Sequence, residues 1–499
     1  MRILAVAAAA LIAAAPAAPK MDADTAAWWA TTAQLSNDAM EGRDTGSAAY
    51  LRAARLVAAK FAAAGLKPAG ENGTWFQNVP MHEIRVAGAR VGVGRRSLVF
   101  LHDLTVSPNP ATPARVDAPL AYGGYCGAGA LAVARGAVVI CHGTHRAGLP
   151  SAAEREAAAR AAGAIGMLTI ADPGFTVEPP RWPYAYARTV TLASDPARPD
   201  PFLRMTLNAA SLGKLLAGSG RNAAALVAAG SAGRPLPSFA LPNRFRAAFA
   251  LRQRDISSPN VLAMMPGSDP KLADQAIVLS AHLDGYGYGE PVNGDRIYNG
   301  TLDDAAYVAL LIRLAERRQG HPYRRPILFA AWTGEEKGLL GSRWFIAQPT
   351  VPKARMAADV NLDQLRPIFP LELLTVHALD ETTLGDDARE VAHSLGIEVQ
   401  RDPEPERNLL QRSDQWPFLQ AGIPATAFVF GYRPGSRSEQ IYRQWYRTGY
   451  HKPQDDLKQP MDFKAAADFN RFFYKLVERV ANEPQRPSWM PGSRLRPKS

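Results

Sequence analysis

The sequence predicts an α/β protein with a smaller β-rich unit set into its first half, and three observations carry that expectation. From Asn260 onward, apolar runs of strand length alternate with helical patterns, as in layered α/β structures. Between about Val86 and Pro237 the texture changes to short strand-like runs broken by Gly and Pro. At 499 residues the chain is also too long for one simple core. A hydrophobic content of 47% with 21% charged residues belongs to an ordinary globular protein.

Met1-Arg2 and the apolar run Ile3 to Ala15 read as the charged and apolar parts of an export signal. Small residues from Ala13 to Ala18 offer a cleavage zone, so residues 1–20 are expected to be removed. That run is too short to span a bilayer, and no other stretch reaches the roughly 18 apolar residues a spanning helix needs. The mature protein is therefore expected to be exported, periplasmic or secreted, with no stable membrane insertion. Residues Asp22 to Leu66 read as helical. Thr45 or Ser47 can cap a helix that carries Leu51, Ala54, Val57, Ala58 and Phe61 at helical spacing and ends at Gly65.

In the β-rich unit, expected over 86–237, runs such as Ala137 to Ile140 are strands, and one Ala-rich helix spans Ser151 to Ala162. Cys126 and Cys141 are the only cysteines. In an oxidising compartment they can pair, and two buried free thiols fit equally well. Residues 21–85 and 238–483 are expected to form the α/β unit, followed by a basic, Pro-containing tail over 484–499. The formal charge of +11 comes from scattered Lys and Arg, densest from Arg486 to Lys498 in that tail. A solvated basic surface is expected, and no nucleic-acid site.

The chemistry sits in the α/β half. The buried-strand run Ala276 to Ala281 delivers His282 and Asp284 at its end. Residues two apart on a strand share a face, so the Asp284 carboxylate can accept from one ring nitrogen of His282 while the other binds metal. Past a glycine-rich loop, Leu302-Asp303-Asp304 opens the helix Ala305 to Arg317. Aspartates there ordinarily cap a helix, although a carboxylate can also bridge two cations. The strand Ile327 to Trp332 runs into Gly334-Glu335-Glu336. Crowding two acids at a strand tip is costly unless something positive neutralises them, so one can bind metal while the other serves as general base. Asp363 ends another strand-like run, and His451 opens the loop Lys452 to Asp456. Two histidines and several carboxylates without cysteine suit zinc in an open catalytic site. No Gly-x-Ser-x-Gly elbow and no His-Glu-x-x-His helix occurs, which disfavours a serine hydrolase and the single-zinc helix motif.

The order His-x-Asp, Leu-Asp-Asp, Gly-Glu-Glu, Asn361-Leu362-Asp363 and Tyr450-His451-x-Pro453-x-Asp455-Asp456 resembles the co-catalytic zinc exopeptidases of the aminopeptidase Y and glutamate carboxypeptidase II kind. Gly42-Arg43-Asp44-Thr45-Gly46-Ser47, Asn293 to Gly300, Glu336 to Ser342 and Ser413-Asp414-x-x-Pro417-Phe418 are similar to further motifs of that family. The resemblance implies a mixed-sheet sandwich with helices on both faces and, near 86–237, an inserted protease-associated domain. It implies two zinc ions, one held by His282, Asp303 and Asp363, the other by Asp303, Glu336 and His451. Glu335 would be the general base, Asp284 the partner of His282, and Tyr450 a donor to the oxyanion. The implied activity is removal of N-terminal residues from a peptide substrate. Carboxypeptidase or glutaminyl cyclase chemistry is the alternative on the same fold, and a non-catalytic, receptor-like binding protein is a further one. Arg407 and Arg412 could favour a carboxylate but read as ordinary surface arginines. Two departures stand out: Ala306-Tyr307, with Tyr307 expected to narrow the pocket, and Gln364 where the family commonly has methionine.

Overall fold

The computed structural model describes residues 21–497 apart from Ala130, Ala197 and Gln364. The export signal expected over 1–20 and the departure at Gln364 lie outside the described residues. Among the described residues, sixteen strands join in one mixed sheet, as the sequence predicts for an α/β chain.

The sheet centres on three parallel strands, Met356–Leu362, Ala276–His282 and Ile327–Trp332, in which every residue is buried. Their unbroken apolar character follows from cover on both faces, where alternation would leave polar groups inside. One face packs against helices Ala23–Ser36, Ala48–Ala63, Ala306–Arg317 and Phe463–Asn482. The other packs Trp332 against Phe345 and Phe418 of the short helices Leu340–Ala347 and Gln415–Gln420. Strand Ala425–Phe430 extends the parallel set beside Met356–Leu362, and antiparallel Leu373–His377 follows it. Because the central strands run the same way, their C-terminal ends open on one edge. That is where an open α/β sheet binds its ligands.

On the other side of Ile327–Trp332 lies Phe239–Met265, a strand of 27 residues whose Phe245 to Val261 pair with Phe76–Val93. Its far end joins Arg115–Tyr122, from which Val138–His142, Gly166–Ala171 and Leu203–Asn208 continue in parallel. These strands enclose a second apolar core around Leu120, Ile140, Leu168 and Leu207. Phe76–Val93 runs as one strand through residue 86, with a shift of register against its partner there, so one paired ribbon links the two cores. Cys126 and Cys141 form a disulfide.

Local rules account for the helices. Ser47, not Thr45, caps Ala48–Ala63 by accepting from the Tyr50 amide. That helix buries Tyr50, Ala53, Ala54, Val57 and Phe61, while Leu51 faces solvent. Ser151 and Glu154 form a capping box on Ala152–Ala161. Asp303 and Asp304 cap nothing. They lie in a wide turn, Thr301–Ala305, ahead of Ala306–Arg317, and both are buried. Tyr307, expected to narrow the pocket, packs instead into the core, edge-on to Phe469 at 6.2 Å. Among the described residues, no helix is long and apolar enough to cross a membrane.

Candidate active site

The sheet edge gathers His282, Asp303, Glu335, Glu336, Asp363 and His451 around one point, although they come from five separate segments. Asp303 is the hub. Its Oδ1 lies 3.2 Å from His282 Nε2 and its Oδ2 lies 3.3 Å from His451 Nε2. Glu335 Oε2 and Asp363 Oδ1 are each 3.9 Å from His282 Nε2, and Glu336 Oε2 is 3.3 Å from His451 Nε2. Two groups of donors have atoms within 4.8 Å of one another: His282, Asp304 and Asp363, and Asp303, Glu336 and His451. The first includes Asp304 where the motif order implies Asp303. Asp304 Oδ2 already accepts the His282 backbone N–H at 3.1 Å, whereas the Asp303 carboxylate reaches both histidines. A cavity of about 10 Å³ lies against Asp303, Glu336 and His451, roomy enough for about one water-sized species.

The electrostatics are those of a crowded, buried acid cluster. Burial raises the carboxyl of Glu335 well above its usual range, and Asp363 and Glu336 add to it against His282. Burial and the Asp303 charge push Glu336 up to about 8, and burial also lifts Asp363. Asp303 goes the other way: burial opposes, but the hydrogen bond with His282, the nearby His451 and the Arg366 charge hold it well below the usual range. His282 is buried yet raised, since Glu335 and Asp303 outweigh desolvation. Burial, seconded by Arg181, lowers His451 to about 3. Asp303 Oδ2 is buried without a hydrogen-bond partner. Nitrogen and oxygen donors alone, crowded and buried, fit divalent cations such as zinc.

Neighbours hold each member in place. Asp284 differs from expectation. His282 Nδ1 meets the Asp284 main-chain carbonyl at 3.0 Å, while the carboxylate stands 3.8 Å away. The strand ends at His282, so the expected alternation of faces stops there. The Asp284 carboxylate instead accepts from the Thr45 hydroxyl at 2.8 Å and the Glu335 amide at 3.0 Å, fixing the turn that carries Glu335. Arg43, fully buried, donates to the carbonyls of Leu35, Leu283, Asn299 and Gly300 and ties the His282 loop to the Asp303 loop. Gly42 precedes it at φ 64°, where an added Cβ would fall 2.3 Å from the Tyr298 carbonyl. Asp455 accepts the amides of Leu302 and Asp303 at 2.9 and 3.0 Å, and Ser413 donates to Asp363 Oδ2 at 2.6 Å. The Tyr450 ring lies tilted against His451 with ring centroids 3.8 Å apart, and its hydroxyl accepts from Arg412 at 3.4 Å.

Sequence reasoning missed the residues that cover the site. Arg181 Nη1 donates to His451 Nδ1 at 2.7 Å and its guanidinium lies 4.6 Å from the Tyr450 ring centre. Tyr286 also reaches His451 Nδ1, at 2.7 Å. Arg407 and Arg412 are not ordinary surface arginines: Arg407 is buried, and Arg412 makes two hydrogen bonds to Glu178, at 2.7 and 3.0 Å. Glu178 and Arg181 lie in a Pro-rich, aperiodic stretch, Glu178 to Pro183, which carries no pattern that would single them out.

Residues 260–477 match the model of Peptidase family M28. Over 235 residues the chain is 26% identical to leupeptin-inactivating enzyme 1 of Streptomyces exfoliatus, covering 46% of this chain and 50% of that protein. It is 30% identical over 164 residues to the alkaline phosphatase isozyme conversion protein of Escherichia coli K12, covering 31% and 46% respectively. The chain thus spans about half the length of the curated relatives it matches. Among solved structures, a zinc aminopeptidase from Bacillus subtilis superposes with a TM-score of 0.62 at 17% identity, over 93% of this chain and 97% of that one. An aminopeptidase from Aneurinibacillus sp. strain AM-1 superposes with a TM-score of 0.60 at 18% identity, over 93% and 95%. At those identities the likeness establishes the fold, and the sequence match establishes the lineage of the half that carries the acids and histidines. Residues 260–477 of this chain belong to peptidase family M28.

Proposed function

We propose that the protein is an exported, metal-dependent aminopeptidase that removes N-terminal residues from peptides. The observation that carries the reading is Asp303, whose two oxygens face two histidines about 3.2 Å and 3.3 Å away within a ring of buried acids. On this reading His282, Asp303 and Asp363 hold one zinc, and Asp303, Glu336 and His451 hold a second, with Asp303 shared. The ions would supply Lewis acidity to the scissile carbonyl and lower the pKa of water. Everything else falls to side chains of the chain. Glu335, outside both ligand sets and raised by its surroundings, takes a proton from the attacking water and returns it to the leaving amine. Asp284 keeps the Glu335 turn fixed through the amide it accepts. Tyr450, whose oxygen accepts from Arg412, keeps its own proton for the oxyanion.

Support for export comes from the Met1 to Ala18 pattern and from the Cys126–Cys141 disulfide, which suits an oxidising compartment. The likeness of 86–237 to a protease-associated domain suggests that this segment, which contributes Arg181, shapes access to the site. One observation favours a second reading, removal of C-terminal residues: the Glu178 carboxylate near Arg181 is hydrogen-bonded to Arg412, while the Arg181 guanidinium meets His451, and a substrate carboxylate would suit it.

Zinc-loaded protein given one mixed-sequence peptide, with a free and with an acetylated N-terminus, separates these readings by mass spectrometry. Shortening of the free form alone from its N-terminus is expected. C-terminal loss from both forms would establish the second reading, and no cleavage with metal bound would refute both.

A further inference from the structure

Arg366 belongs to none of the motifs read from the sequence, yet its side chain is completely buried against the acid cluster. Its Nη1 donates to the carbonyls of Leu302 at 3.2 Å and Leu365 at 2.7 Å. Its guanidinium carbon sits 4.3 Å from the Trp445 ring centre. These contacts aim Nη2 at Asp303, 3.5 Å from Oδ2. Arg366 Nε and Nη2 make no hydrogen bond, and neither does Asp303 Oδ2. A guanidinium stays charged in a protein, so this is a fixed cation facing the oxygen that also faces His451. A post for the Leu302 carbonyl would not need a charge, and burying one is costly unless acids nearby offset it.

We propose that Arg366 is a positioning residue, a resident counter-cation that holds the Asp303 carboxylate open between the two histidines while no metal is bound. The same charge opposes a divalent cation at the His451 side of Asp303. An interaction stronger in the metal-free protein than in the loaded one lowers metal affinity by the same factor. Arg366 therefore keeps the empty site in shape and makes the ion between Asp303, Glu336 and His451 the more weakly held. The inference rests on the metal-centre reading but makes no use of peptide cleavage, so the two fail separately.

The test is zinc binding by chelator competition, with thermal melting of the full chain stripped of metal and reloaded. In the parental protein two zinc affinities that differ are expected, and His451→Ala removes the weaker. Arg366→Gln, which removes the charge and keeps polar reach, should tighten the weaker zinc by about tenfold or more. It should also lower the melting temperature of the stripped protein more than that of the loaded protein. Arg366→Lys, which keeps the charge, should stay near parental zinc affinity. Equal melting losses with and without zinc, at unchanged affinity, would reduce Arg366 to a structural post and overturn the proposal. Weaker zinc in the Gln variant would overturn it as well. If that variant does not fold, equal affinities of the two ions in the parental chain overturn it on their own.

Discussion

Glu335 and Glu336 are chemically identical neighbours that the fold sends to different tasks. Glu336 faces His451 at 3.3 Å, whereas Glu335 has its amide pinned to Asp284 and its carboxyl 3.9 Å from His282 Nε2. Glu335→Gln should therefore keep the metal content and lower kcat by about 10² to 10⁴, as loss of a general base does. Asp303→Asn should lower metal content instead, because one oxygen of the shared carboxylate is gone. Metal stoichiometry measured beside kcat separates the two roles, and full metal retention in Asp303→Asn would count against the shared-ligand assignment. At this scale the cluster was legible, because acids and histidines at the ends of apolar runs are costly unless they serve something. What could not be read was any contact made by a donor-rich side chain with the backbone. Arg43 was visible only as part of a motif, and the Asp284 carboxylate was aimed at the wrong partner because strand alternation was carried one residue beyond the strand.

The elements that hold the site are loops fastened by buried polar groups rather than by apolar packing. Arg43 alone bonds four main-chain carbonyls, from Leu35, Leu283, Asn299 and Gly300. Arg43→Met should cost about 3 kcal/mol or more, since buried carbonyls lose a charged donor. The midpoint of urea unfolding checks this, and a loss below about 1 kcal/mol would show that water replaces the arginine. The central strands and the helices Ala48–Ala63 and Ala152–Ala161 were readable from periodicity and caps, which are local. The ribbon of Phe76–Val93 on Phe239–Met265 was not. Its partners lie 152 to 185 residues apart in sequence, and no local pattern reveals which strand another will pair with.

For the molecule as a whole, the acid cluster makes stability depend on pH when metal is removed. Glu335, Glu336, Asp363 and His282 all have raised values in the folded state, so the stability they lend is complete at low pH and lost as pH rises through those values. His451, lowered to about 3, destabilises only below its ordinary range near 6.5, and Asp303 is fully ionised throughout neutral pH. Between pH of about 6.5 and 9 the metal-free protein should thus become steadily less stable, Glu336 losing its proton near 8. Zinc-loaded protein should show a flatter profile. Melting temperatures with and without chelator across that window check it, and parallel curves would contradict it.

The Asp455 carboxylate that grips the amides of Leu302 and Asp303 sits in the same loop as His451, far along the chain from everything it organises. A ribosome delivers the chain from its N-terminus, so His282, Asp303, Glu335, Glu336 and Asp363 all emerge before the loop that completes their arrangement. Until residue 455 has been made and has folded back, the turn at Asp303 lacks its clamp and the second histidine is missing. The centre is therefore timed by the order of synthesis. A chain made only as far as residue 450 carries the first histidine and all four acids of the cluster, yet it has neither the second histidine nor the Asp455 clamp, and it should be inert.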